Sequence, residues 1–201
     1  MFIDRKDAGQ KLAQELKKLN VKNGIILALP RGGVIIGSEI SKILNLPLDI
    51  IVTRKIGALF DPEYAIAAVS ENEIVLNPEV TVDKKYLVDN AKKERQEIKR
   101  RLKAYRKNIK YPELKGKTVI LVDDGLATGL SMEAAVLEVK YQKPQKIIVA
   151  VPVAPPETVE KLRKRVSKVI VLKIEQVFFS IGQFYDFFPQ ITDLEVKKLL
   201  D

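Results

Sequence analysis

Thr118–Met132 reads TVILVDDGLATGLSM, and the order of its residue types decides the fold. Thr118 to Val122 is an apolar, β-branched run that suits a strand buried on both faces. Two carboxylates, Asp123 and Asp124, follow at its carboxyl end, then a short loop with Gly125 and Gly129, then a helix opening near Leu130. In open α/β sheets, ligands sit outside the carboxyl ends of strands. A loop entering a helix there presents unpaired N–H groups and the positive end of the helix dipole. That loop is suited to hold a phosphate. Thr128 and Ser131 add hydroxyl donors, Gly129 permits close backbone approach, and Asp123 and Asp124 can accept from sugar hydroxyls or hold a hydrated cation.

Outward from this segment, apolar runs alternate with helical stripes in a βαβ rhythm. That rhythm implies an α/β fold with a parallel sheet and helices on both faces. Asp4 caps a helix over 6–19, with Ala8, Leu12, Leu16 and Leu19 on one face. Gly24–Leu29 (GIILAL) is a buried strand that ends at Pro30-Arg31-Gly32-Gly33 and enters a helix over 34–44. Leu48–Thr53 is the second strand of a right-handed βαβ unit. Tyr64–Ser70 and Glu73–Leu76 form a short β excursion outside the main sheet. A long basic helix over 82–108 carries Leu87, Ala91, Ile98, Leu102, Tyr105 and Ile109 at helical spacing, a stripe that needs a partner surface. Further strands are expected at 118–122, 146–152 and 168–174, with helices near 130–142 and 156–165 and a terminal helix from Asp193. The expectation is one domain over 1–201, with its core at about 20–55 and 117–175 and hood or lid elements at about 56–115 and 176–201.

Composition narrows the chemistry. The 201 residues are 46% hydrophobic and 30% charged and contain no Cys and no His. Thiol nucleophiles, imidazole bases, disulfides and structural zinc sites are thereby excluded, leaving acid–base work to Asp, Glu, Lys or Tyr. The net charge of +9 is local: residues 84–110 hold 12 Lys or Arg against 3 Asp or Glu, so the remainder sums to zero. MFIDRKDAGQ (1–10) carries charges with no apolar run behind them. This gives the expectation of a cytoplasmic protein with no membrane partner.

VILVDDGLATGLS (119–131) resembles the phosphoribosyl pyrophosphate (PRPP) signature of type I phosphoribosyltransferases: apolar strand, acidic pair, Thr-Gly, small hydroxyl residue. A Walker A loop would need a Lys after its second Gly, and none is present. Leu130 departs from the Gly or Lys of many members while keeping the backbone amide. Ala127 stands where several 6-oxopurine enzymes place an acid and adenine-type members tend to carry Ala. The similarity extends through FIDRKDAGQKLAQEL, LALPRGG, LDIIVTRKIG, PEYAIAAVSE, VAVPVAP, FFSIGQFYDFF and DLEVKKLL. Over nearly the whole chain these resemble a group of phosphoribosyltransferases of undefined acceptor.

The resemblance implies a type I phosphoribosyltransferase core and a Mg²⁺-dependent displacement at the ribose anomeric carbon. PRPP and a small-molecule acceptor, with nitrogen as the attacking atom, would be the substrates, and a homodimer the assembly. Arg31, Gly32 and Gly33 match the pyrophosphate loop, and Arg54 and Lys55, read as ending the second strand, add positive charge. Gly125, Ala127, Thr128, Gly129, Leu130 and Ser131 match the phosphate loop. Arg31, Lys55, Asp123 and Asp124 are the implied catalytic residues, with Asp123 and Asp124 holding ribose and the metal, directly or through water. A lid is expected between Ile56 and Asn77, and Glu63 is either a surface carboxylate or the acceptor's base.

Three competing readings stand beside this one. A Gly-rich strand–helix turn also fits dinucleotide binding, but GGVIIG misses the G-x-G-x-x-G spacing. Arg100, Arg101, Tyr105 and Arg106 sit in a cluster that resembles a recurrent element of the same group, a resemblance that would bring some of them to the phosphates of substrate. The basic helix instead suits nucleic acid if the protein is a non-catalytic PRPP-sensing regulator, although no DNA-reading module is evident. The aromatic tail, Phe178, Phe179, Phe184, Tyr185, Phe187 and Phe188, reads as core or subunit contact, or as a sandwich for a planar acceptor.

Overall fold

The computed structural model describes residues 1–62, 64–106 and 112–200. Glu63 and Ile109, named above as candidate base and as the last stripe residue, lie outside them. In chain order the elements are α1 Arg5–Lys17, β1 Gly24–Ala28, α2 Gly32–Leu44, β2 Leu48–Ile50, β3 Arg54–Gly57, β4 Ala65–Val69, β5 Ile74–Leu76 and α3 Lys84–Tyr105. They continue with β6 Thr118–Val122, α4 Leu130–Tyr141, β7 Lys146–Ala154, α5 Pro156–Arg163, β8 Lys168–Ile174, a 3₁₀ turn Ile181–Phe184 and α6 Asp193–Leu200.

Five strands form a parallel sheet in the order β2-β1-β6-β7-β8, and β3-β4-β5 form a separate antiparallel hood. The chain runs from β1 outward to β2, then returns on the other side of β1 as β6. The switch point therefore falls between β1 and β6, where a doubly wound sheet opens its ligand crevice. Strand pleating sorts the core. Ile25, Leu27, Val119 and Leu121 face Met132, Val136 and Leu162 of α4 and α5, whereas Ile26, Ile120 and Val122 face Leu12, Leu16 and Ile36 of α1 and α2. Each such fully buried aliphatic side chain contributes about 1.5–3 kcal/mol.

The stripe of α3 finds its partner in the hood. Ala91, Ile98, Leu102 and Tyr105 pack with Ile56, Ile66, Ala67 and Val69 and with Ile191 and Val196 around α6. The hood is tied to the sheet layer as well: Leu130 and Ala134 of α4 meet Ala65 and Ala68 of β4. At the far end of α4, the Glu138 carboxylate accepts from Ser70 Oγ (2.6 Å), Asn72 Nδ2 (2.6 Å) and Asn72 N (3.0 Å).

Two boundary differences from the sequence reading bear on the site. The second strand ends at Ile50 and not at Thr53, so Arg54 and Lys55 do not end it. They open β3 of the hood, where Arg54 pairs with Val69 and Lys55 with Ala68. Helix α2 begins at Gly32, two residues before Val34, so the Arg31-Gly32-Gly33 segment is already the helix start. Among the described residues no helix is long and apolar enough to cross a membrane.

Candidate functional site

Helices α2 and α4 both begin at the carboxyl edge of the sheet, after β1 and β6, and neither has a side-chain cap. Their first-turn N–H groups and positive dipole ends thus remain for an anion. The capping residue of α4 is Gly129, at φ 76°, where an added Cβ would also stand 2.7 Å from Thr158 Cγ2. Glycine is required there on both counts. The loop is held from below by Thr158, whose hydroxyl donates to the Ala127 carbonyl at 2.6 Å. Thr128 is exposed and Ser131 half-buried.

The two loops touch. A Cβ at Gly33 would lie 2.8 Å from the Val122 carbonyl and 3.1 Å from Asp123 Oδ1; one at Gly32 would lie 1.8 Å from Asp124 Oδ2. The glycines are thus demanded first by the acidic pair, before any phosphate is considered. The peptide between Pro30 and Arg31 is cis.

The structure divides the acidic pair. Asp123 is half-buried and its Oδ1 accepts the Asp124 N–H at 2.8 Å. Asp124, expected beside it on the ribose, is buried, and its Oδ2 accepts from Arg5 Nε at 2.8 Å; the two side chains are 11% and 8% exposed. Arg5 also donates Nη1 to the Pro189 carbonyl at 2.8 Å and lies 3.6 Å over the Phe188 ring, while Tyr185 Oη donates to the Asp124 carbonyl at 2.6 Å. Burial pushes the Asp123 carboxyl well above the ordinary carboxylate range, and the neighbouring charge of Asp124 adds to this. Burial raises Asp124 too, with the Arg5 guanidinium opposing it.

Adjacent strand residues point oppositely, and this separates Arg54 from Lys55. Lys55 is exposed and close enough to pull the Asp123 carboxyl downward. Arg54 donates instead to Glu94 of α3 at 2.8 Å. The basic cluster of α3 divides likewise. Tyr105 Oη donates to Asp193 Oδ1 at 2.6 Å, and Arg31 and Arg100 face the same carboxylate at 3.7 and 3.8 Å. Arg101 is held by Glu97 at 2.8 Å. Arg106 turns away, bonding Asp49 at 2.9 Å and the Ile50 carbonyl at 2.6 Å.

A cavity of about 730 Å³ opens beside the loop that enters α4, between Ala127, Thr128, Pro155 and Phe178 and the segment from Val75 to Glu79. Of the aromatic tail, Tyr185 is core, Phe188 stacks on Arg5, Phe178 lines this cavity, and Phe179 and Phe187 are exposed. Among the described residues there is no group of three or more His, Cys, Asp or Glu that could cage a metal. A Mg²⁺ ion is commonly held by one or two carboxylates together with oxygens of a substrate, and the half-buried Asp123 is the carboxylate here that could serve in that way.

The sequence reading gives Arg5 and Asp193 no site role; it takes Tyr185 as core or subunit contact, and Tyr185 is buried, but it does not foresee the bond from Tyr185 to the Asp124 carbonyl. Arg5 sits in a charged DRKD run that reads as a solvated helix start, 119 residues from its partner. A Gly-Gly pair beside an acidic pair is the one available hint of close packing.

The sequence family described as "Phosphoribosyl transferase domain" matches residues 4–186. A Mycobacterium tuberculosis protein named "Putative phosphoribosyl transferase" is 37% identical over 206 residues, covering 100% of this chain and 46% of its own length. The uracil phosphoribosyltransferase of Aquifex aeolicus is 33% identical over 109 residues, covering 50% of this chain and 52% of its own. The chain thus spans about half the length of these curated relatives. Among solved structures, TT1426 of Thermus thermophilus superposes with a TM-score of 0.84 at 41% identity, covering 100% of this chain and 97% of that one. A purine phosphoribosyltransferase of Pyrococcus horikoshii shares the fold at a TM-score of 0.50 and 19% identity, covering 88% of each chain.

Proposed function

Since the chain belongs to the phosphoribosyltransferase domain family, we propose that it is a phosphoribosyltransferase of the cytoplasm. It would transfer the phosphoribosyl group of PRPP to a small nitrogen acceptor and release pyrophosphate. The observation that carries this reading is the contact between the Arg31-Gly32-Gly33 helix start and the Asp123-Asp124 loop at the switch point, with two uncapped helix N-termini opening side by side.

The roles follow from position. The α4 N-terminus, with Thr128, Gly129, Leu130 and Ser131, receives the 5′-phosphate on backbone N–H groups. Asp123 accepts from the ribose hydroxyls, and its carboxylate favours positive charge developing at the anomeric carbon. Arg31 and Lys55 neutralise the pyrophosphate as the C1–O bond breaks and its electron pair departs. The acceptor's nitrogen lone pair forms the new C1–N bond, and its proton is released. Asp123 would help to hold a Mg²⁺ ion, which when bound would supply further charge neutralisation to the leaving group. Asp124 acts through Arg5 to fix the loop. The acceptor enters from the cavity beside Ala127 and Phe178, and the assembly is a homodimer.

The arginines of the basic helix favour the enzyme over a nucleic-acid-binding regulator, because Arg95, Arg101 and Arg106 bond carbonyls or carboxylates of the protein itself. Isothermal titration with PRPP and Mg²⁺, alongside Asp123→Asn and Arg31→Ala, tests the site, and a pyrophosphate-release screen over nucleobases and small amides tests the transfer. Saturable binding lost in both variants, with acceptor-dependent release, is expected. Absence of PRPP binding by the folded protein would overturn the assignment. Binding without turnover on any acceptor, accompanied by salt-dependent RNA or DNA binding, would transfer it to the regulator.

A further inference from the structure

Asp193, in the first turn of α6, is a carboxylate set between two guanidiniums from different elements. Arg31 comes from the start of α2 and Arg100 from the last third of α3; their Nη1 and Nη2 atoms stand 3.7 and 3.8 Å from Asp193 Oδ1 and Oδ2. Both distances exceed a hydrogen bond, and all three side chains are about half exposed, at 41%, 55% and 40%. The short contact to Asp193 is the 2.6 Å bond from Tyr105 Oη. Its carboxylate is therefore fixed by a neutral donor while two cations approach it with most of their five N–H groups uncommitted to it.

Arg100 is built to stay in place without Asp193. Glu97 accepts from its Nε at 2.7 Å and its Nη2 at 2.9 Å, and accepts from Arg101 Nε at 2.8 Å. The two arginines hold the Glu97 carboxyl down to about 2, so the clamp stays charged at any working pH. The backbone under Asp193 is equally fixed, because Ile191 and Val196 are buried against the hood and α3. A change in the Asp193 rotamer alone would expose both guanidiniums.

Two forks converging on one oxyanion at the pyrophosphate loop form a receptor for a more highly charged anion. We propose that Arg100 is a second pyrophosphate-binding arginine beside Arg31, and that Asp193 is an internal competitor which the pyrophosphate displaces. The proposal rests on the PRPP reading above; to the expectation that the Arg100 cluster meets substrate phosphates it adds the pairing of Arg100 with Arg31 across one carboxylate and a built-in attenuator of affinity.

The test is calorimetric titration of wild type, Arg100→Gln and Asp193→Asn with Mg²⁺-pyrophosphate and, separately, ribose 5-phosphate. Arg100→Gln is expected to weaken pyrophosphate about 10-fold or more and leave ribose 5-phosphate unchanged. Asp193→Asn keeps an acceptor for Tyr105 while removing the charge, and is expected to tighten pyrophosphate about 2–5-fold. A purely structural Asp193 would give the opposite sign or none. Unchanged pyrophosphate affinity in Arg100→Gln, or unchanged or weakened affinity in Asp193→Asn, overturns the proposal while ribose 5-phosphate binding leaves the transferase reading intact. Failure of the folded wild type to bind either ligand overturns both.

Discussion

Replacing Arg5 by Met keeps most of the stem's volume and removes the charge that faces Asp124. The pair is buried, and Arg5 Nε is the donor on the Asp124 carboxylate at 2.8 Å. Removing one partner of such a pair leaves an uncompensated charge and costs ~3–5 kcal/mol. Against a typical total stability of about 5–15 kcal/mol, that is roughly a fifth or more. With a urea slope of about 2 kcal/mol per molar, the unfolding midpoint should fall by about 1.5–2.5 M.

The loss should also depend on pH, in a direction fixed by the shift. A carboxyl whose folded pKa lies above its unfolded value, 3.8 for Asp124, holds a proton more readily when folded. Such a group loses stability as pH rises from the unfolded value to the folded one. Arg5 is the largest influence opposing that rise, so Arg5→Met should push Asp124 further up and widen the window. Urea titrations at about pH 4.5 and about pH 8 should therefore show a small deficit at the lower pH and the full one at the higher. Adding Asp124→Asn to Arg5→Met should recover part of the loss at the higher pH. A deficit under about 1 kcal/mol, or one equal at both pH values, would refute the buried-pair reasoning.

Three other perturbations test separate contacts. Gly32→Ala places a methyl 1.8 Å from Asp124 Oδ2 and 2.8 Å from Arg5 Nε. Overpacking of about 1–3 kcal/mol and loss of PRPP binding are expected by thermal melt and titration, and an unaltered melt would show that the loops do not meet. Glu138→Ala strands the Ser70 and Asn72 donors, with an expected cost of about 1–3 kcal/mol. Hydrogen exchange should then quicken in β4 and β5 while β6 and β7 keep their protection; uniform loss would mean that Glu138 does not anchor the hood specifically. Lys55→Gln removes a charge that pulls Asp123 down. The acid limb of pyrophosphate release should move to higher pH with turnover reduced about 10²-fold, and a limb moving the other way would place Lys55 elsewhere.

The sheet was legible because β1, β6 and β7 are buried on both faces and so read as unbroken apolar runs, and the half-buried β8 keeps an apolar run between its two lysines. Thr118–Val122 and Lys168–Ile174 appear with the bounds that the residues suggest. The hood was legible only in part. RKIG offers no alternation, and β3 exists because Ala65–Val69, an apolar run, provides an edge for it. The start of α2 was displaced for a related reason. Two glycines argue against helix by propensity, but their place is set by the close approach of the acidic loop, an interaction with residues some 90 positions later.

The acidic pair holds the clearest lesson, and it was available before any coordinates. Asp123 and Asp124 follow directly on a strand, and successive side chains leaving a strand point to opposite sides. Two adjacent carboxylates there cannot both face the crevice unless the backbone turns between them. Asp123 takes the open side with Lys55 in electrostatic reach; Asp124 takes the α1 side, where Arg5, Tyr185 and the Phe188 ring enclose it. The motif signals the pair as a unit, but the pleat gives the two carboxylates different surroundings: Asp123 is left toward the crevice where the proposed substrate would meet it, and Asp124 ties the loop to Arg5 beside the α2 helix start. A protein built this way should tolerate Asp123→Asn as a folded, weakly binding variant and should respond to Asp124→Asn mainly in stability, and paired melts and PRPP titrations of the two would expose any reversal of that order.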